Sequence, residues 1–169
     1  MSLINDLGEK KIKGLRKDPH YQPIIDAIKQ NQRDGITSDE VVETALKATR
    51  DQFVKEGRKL DKEDLRKDAF LAATAASVES PYQMKDLPEG DDKTKHYLLW
   101  GAMAAKIDQS LDALGIIPAG ARKKIAIGLS MSVGYLKEVA DLFTSGFNQE
   151  DLKADRKGVR SPFEHEQEG

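Results

Sequence analysis

The sequence predicts an all-α protein: a single compact multi-helical domain of six to seven helices around an apolar helix at 118–143. Three observations predict it. Apolar residues recur at helical spacing along nearly the whole chain, and no stretch sustains the alternation of a half-buried strand. Punctuating residues (Gly35, Gly57, Pro81, Gly115, Pro118 and Gly146) fall between those periodic stretches. Aromatic residues make up only 6% of the chain, which leaves aliphatic side chains to fill the core.

The elements follow in order. Leu3, Leu7, Ile12 and Leu15 mark a first, highly charged helix. A second begins near Pro23, runs through Ile24, Ile25 and Ile28, and ends before Gly35. Thr37 and Glu40 have capping-box spacing, in which each side chain satisfies an orphan backbone N–H of the other. The helix they open puts Val42, Leu46, Thr49 and Phe53 on one face, with Gly57 as its stop. Asp61 and Asp64 open the next, whose interior of small residues at 69–76 permits close helix–helix approach until Ser80-Pro81 closes it. Residues 80–92 are the one clear loop and the one candidate internal boundary. Asp91 or Asp92 caps a helix through His96, Trp100, Met103, Ala104 and Ile107 that stops near Gly115. Pro118 starts the long apolar helix, with Gly146 beyond its end. Asn148 and Asp151 cap a last short helix ending at Gly158, so the domain spans 1–160 and 161–169 is a polar tail.

A chain of 169 residues is one domain, able to bury roughly 70% of its unfolded surface. Lys plus Arg is 27 and Asp plus Glu is 29; residues 1–90 hold 16 and 17 of these, leaving 11 and 12. Such balance argues against a nucleic-acid partner, which calls for a basic excess. The longest charge-free run, 125–136, is twelve residues, against the roughly 20 a membrane-spanning helix needs. It reads as a buried core helix. With no cysteine, disulfides, thiolate metal sites and cysteine nucleophiles are excluded. The N-terminus has no apolar h-region, but Met1-Ser2-Leu3 and Glu168-Gly169 read as expression-vector residues, which leaves open that a signal peptide or anchor was removed.

The most informative chemistry lies late in the chain. Glu138 and Asp141 are three residues apart and share a helix face with Met131 and Gly134, where an apolar stripe is expected to continue. Buried carboxylates need a partner. The pair can instead face solvent at the helix end, or bridge to His96, Lys137 or Lys93. It can also hold a divalent cation together with His96, with Asp151 or Asp155 orienting the ligands or activating water. Other candidates are weaker. Asp34-Gly35 does not fit a calcium loop, since Val41 falls where a bidentate Glu is required. The basic run Lys10, Lys11, Lys13, Arg16 and Lys17 reads as a solvated helix face. Ser130 and Ser132 have no evident base, and His20 and His165 lie in segments expected to be solvated.

Three short motifs, D-K-x-x-H at 92–96, K-E-x-x-D at 137–141 and D-x-x-A-x-x-x-G at 151–158, resemble the YfiM-like predicted lipoproteins of the bacterial envelope. More distantly they look like VanZ-like membrane proteins. The resemblance covers residues 91–160 and implies a helical, envelope-associated protein without an assigned reaction. It singles out Asp92, His96, Lys137, Glu138, Asp141, Asp151 and Gly158. It would place the chain in the envelope or periplasm; without it the cytoplasm is the expectation. The functional expectation is a non-catalytic binding or structural module. The alternative is a metal-dependent hydrolase of a lipid or cell-envelope substrate, with His96, Glu138 and Asp141 on the ion. A homo-oligomer built through the helices stays open.

Overall fold

A computed structural model describes residues 10–142 and 149–165, with side chains throughout except at Asp91, 132–142 and 149–152. The described residues contain helices and connecting turns and no strand, as the periodicity requires. The helices are α1 (described from residue 10 to 15), α2 (Tyr21–Lys29), α3 (Ser38–Lys55), α4 (Lys62–Glu79), α5 (Asp91–Asp112), α6 (Ala119–Leu142) and α7 (Gln149–Glu164).

Local chemistry sets the starts of α3 and α4. Thr37 closes a complete capping box with Glu40, and the Asp61 carboxylate accepts from the backbone N–H groups of Glu63 and Asp64. Gly57 ends α3 with φ +67°, a conformation that costs a β-carbon-bearing residue energy. At α5 it is Gly90 that occupies the N-cap position, not an aspartate, and it makes no side-chain cap hydrogen bond.

The packing corrects one expectation. The 118–143 helix is not the centre of the fold. The centre is α5, which packs against α4, α6 and α7, while α6 touches only α5 and α7 among its substantial contacts. Two apolar clusters meet on opposite faces of α5. Tyr97, Leu98 and Ala102 join the larger one, with Ile24, Ile25, Ile28, Val42, Phe70 and the alanines of α4. Trp100 and Ala104 join the smaller one, with Ala126, Val159 and Phe163. A helix apolar all round belongs in the interior. α6 has the longer charge-free run, but its glycines and serines offer little area to bury, and Ile125 and Leu129 are exposed.

The last helix also runs further than expected. α7 passes through Gly158 and Pro162 to Glu164, and Ser161 and Phe163 are buried. Gly158 does not stop the helix. Its missing side chain lets α7 lie directly on α5, where a β-carbon would overlap the Tyr97 carbonyl oxygen and come 2.9 Å from the carbonyl carbon. Gly101 on α5 faces back, its virtual β-carbon 3.0 Å from the Gly158 carbonyl oxygen and against the Phe70 ring.

The basic run near the N-terminus divides. Lys10, Lys11, Lys13 and Lys17 are exposed, as expected. Arg16 turns back, Nη1 donating to Asp26 at 2.6 Å and Nε to Glu79 at 2.6 Å, and Lys29 donates to Glu79 at 3.1 Å. The Arg16 hydrogen bonds, and then Lys29, hold the Glu79 carboxyl below the usual carboxylate range. A folded pKa below the unfolded one means the stabilisation is present above the ordinary value and is lost as pH falls through the folded one. Thermal melts should therefore show Glu79→Gln less stable than the parent at pH 7, with the gap closing by about pH 3.

Candidate functional site

The α5–α7 crossing brings two of the expected site residues together. His96 stands in the second turn of α5, and Asp155 lies on the inner face of α7, flanked by the fully buried Ala154. The His96 Nδ1 and Asp155 Oδ1 are 2.9 Å apart, with side-chain exposures of 15% and 2%. The spacing of Ala154, Asp155 and Gly158 thus has a physical reason: two positions without bulk let the backbones approach, and the carboxylate between them reaches the imidazole. Asp92, at the start of α5, pairs with Lys93 at 3.0 Å. Burial works against its charge, but Lys93 and His96 outweigh it and hold the carboxyl below its ordinary range.

Further polar contacts fasten α7 along its length. The Tyr97 and Ser161 hydroxyls are hydrogen-bonded in the buried seam. Lys157 reaches the Asp86 carboxylate, which also accepts from the Ser38 backbone N–H at 2.8 Å. His165, expected in solvent, is mostly buried, its Nε2 3.2 Å from Asp39. The side chains of Glu138, Asp141 and Asp151 lie outside the described ones. The helix that carries Glu138 and Asp141, α6, packs against both α5 and α7.

Two clusters were not anticipated from sequence. In the first, His20 is gripped between carboxylates from two other helical segments. Nδ1 is 2.7 Å from Glu56 Oε1 and Nε2 is 2.7 Å from Asp68 Oδ2. Tyr21 donates to the other Asp68 oxygen at 2.7 Å, and burial pushes its hydroxyl pKa far up, beyond use as a base. The Arg58 guanidinium lies 4.0 Å over the Phe53 ring and within 3.9 Å of Asp68. An imidazole with both ring nitrogens in contact with carboxylates ties two helical segments together, and neither nitrogen is turned toward a substrate. Nothing local signals this cluster: Glu56 and Asp68 are 36 and 48 residues away in sequence.

In the second, α4, α5 and α6 converge on Asp108. Arg122 Nε donates to it at 3.3 Å and Arg66 stands 3.8 Å from its other oxygen. Arg122 also pairs with Glu63 at 3.0 Å and Asp112 at 3.2 Å, and donates to the Ile117 carbonyl at 3.1 Å. Carboxylate oxygens of Asp61, Glu63 and Asp112 lie within 4.8 Å of one another, a spacing that would suit a cation. Arg122 already supplies positive charge there. Burial raises the Asp108 carboxyl, and burial together with Asp61 and Asp112 raises that of Glu63.

The chain matches no protein-family model, no curated protein and no solved structure.

Proposed function

We propose that the protein is a non-catalytic helical module, whose interior charges serve to lock its helices in register. The observation that supports this is how those charges are matched. His20 is taken up by Glu56 and Asp68, Asp108 by Arg122 and Arg66, and His96 makes direct contact with Asp155. Buried ionic groups are costly unless paired this way, and paired groups specify geometry more than they add stability.

One contact favours a second reading, a divalent-cation site with metal-dependent hydrolysis of a lipid or envelope substrate. A carboxylate hydrogen-bonded to one imidazole nitrogen is the arrangement that orients histidine ligands on metals. Asp155 stands in that relation to His96, and Glu138 and Asp141 would complete the ligand set.

Thermal melts of chelator-treated protein with Mg²⁺, Ca²⁺, Mn²⁺ and Zn²⁺ separate the two. On the module reading no cation moves the midpoint, and His96→Ala lowers it equally with and without metal. A cation at a hundredfold excess over its Kd would instead add about 2.7 kcal/mol, lost in His96→Ala and Asp155→Ala, and would establish the second reading.

A further inference from the structure

Three helices of this protein bring like charges together. Lys11 stands on α1, Lys67 on α4 and Lys106 on α5. α4 and α5 run antiparallel: Asp64 accepts from Gln109, Arg66 faces Asp108, and Phe70 lies against Gly101. That register sets Lys67 and Lys106 at the same level of the pair, near enough to repel one another. α1 is seated on the core through the buried Ile12 and brings the Lys11 amine within hydrogen-bonding range of the Lys106 amine. Crowding by Lys11 pushes the Lys106 amine below its ordinary pKa, and burial and Lys67 push the same way.

The nearby carboxylates are already in use. Asp68, 3.4 Å from Lys67, also holds the His20 imidazole and the Tyr21 hydroxyl at 2.7 Å each. Asp64 accepts from Gln109. Among the described residues no carboxylate pairs with Lys11 or Lys106, and both side chains are exposed. Other helix pairs in this fold are joined by opposite charges, Arg16 with Glu79 and Arg122 with Asp108 among them. Like charges gathered across helices oppose folding unless something else offsets them. A bound anion would do so. Each ammonium offers several N–H donors and no acceptor, and three of them around one point suit a compact oxyanion carrying more than one charge. A phosphoryl group, with a charge of about −1.5 to −2 at neutral pH, has that chemistry. The net charge of −2 supplies no wider basic field of the kind a nucleic acid needs.

We propose that Lys11, Lys67 and Lys106 form a site for a phosphoryl group, free or as a small phosphomonoester, that binds across α1, α4 and α5 and ties the three helices together. The proposal is independent of whether the module is catalytic.

The test is titration calorimetry of the full chain with inorganic phosphate and, separately, with glycerol 3-phosphate, at constant ionic strength. Binding of at least one is expected, and the tighter of the two identifies the source of the phosphoryl group. Lys11→Gln and Lys106→Gln should each weaken binding about fivefold. Lys85→Gln, at an exposed lysine between α4 and α5, should leave it unchanged. In phosphate-free buffer Lys106→Gln should raise the thermal midpoint, because it removes a repulsion. These lysines are exposed, so the variants are expected to fold, and their melts verify it. No binding of either probe, or equal weakening by Lys85→Gln, would overturn the site. A lower phosphate-free midpoint in Lys106→Gln would also overturn it, since the amine would then be stabilised within the chain itself.

Discussion

Replacing Gly158 with alanine is expected to cost at least about 3 kcal/mol, enough to detach α7 or unfold the protein. The added methyl group would overlap the Tyr97 carbonyl oxygen and crowd the Tyr97 Cα at 3.0 Å. Backbone atoms inside a helix cannot step aside as a flexible side-chain end can. Relief requires α7 to move off α5, which loosens the His96–Asp155 and Tyr97–Ser161 contacts together. The control is the same substitution at Gly128, where nothing lies within 4 Å of the virtual β-carbon. There alanine should stabilise by about 0.5–1 kcal/mol through helix propensity alone. Urea unfolding of both variants gives the comparison. Shifts of the same sign would mean that the helices do not cross at Gly158.

The second large effect is expected at Arg122. Replacing it with methionine keeps much of the side-chain length and removes the charge. Among the described residues Asp108, Glu63 and Asp112 are then left with Arg66 as the one cation beside Asp108, and breaking a buried pair on one side costs about 3–5 kcal/mol. The pH dependence identifies the cause. Unpaired buried carboxylates have folded pKa values above their unfolded ones, so their penalty is full at neutral pH and shrinks as they take up protons. The deficit of Arg122→Met should therefore narrow toward about pH 4. A deficit constant with pH would assign the loss to packing instead.

The parts of this protein legible in sequence are those governed by neighbours along the chain. The capping box at Thr37 and Glu40 and the Asp61 cap involve residues within three positions of each other, and both are formed. The stripe Val42, Thr49 and Phe53 faces the core as its spacing requires. Gly57 and Gly115 take the positive φ values that stop a helix. Gly158 misled because a glycine near a helix end reads as a stop, whereas this one serves a neighbour 61 positions away. Its alternative use, close approach, has no local signature.

Of the candidate site, His96 and Asp155 are joined, although 59 residues separate them. A motif marks His96, and Asp155 is named only as one of the late carboxylates that could serve it; the α5–α7 crossing is what pairs them. His20, expected in solvent because a histidine beside a proline in a short connection looks like any loop residue, is instead mostly buried, its side chain 15% exposed. Its two carboxylates arrive from the end of α3 and the middle of α4.

Sequence by itself determined that the chain is helical, where most of its helices start and stop, and that its core is aliphatic, because these depend on hydrogen bonds and periodicities within a few residues. Tertiary structure decided which helix is central. Counting uncharged residues favours α6, but burial depends on area and on having neighbours on every side, and among the described residues α5 alone presents large side chains to two clusters. The same reason decided the fate of the charges. A buried arginine on an apolar-looking helix is stable only where three carboxylates from other segments surround it, and no pattern along one helix can report what stands across from it.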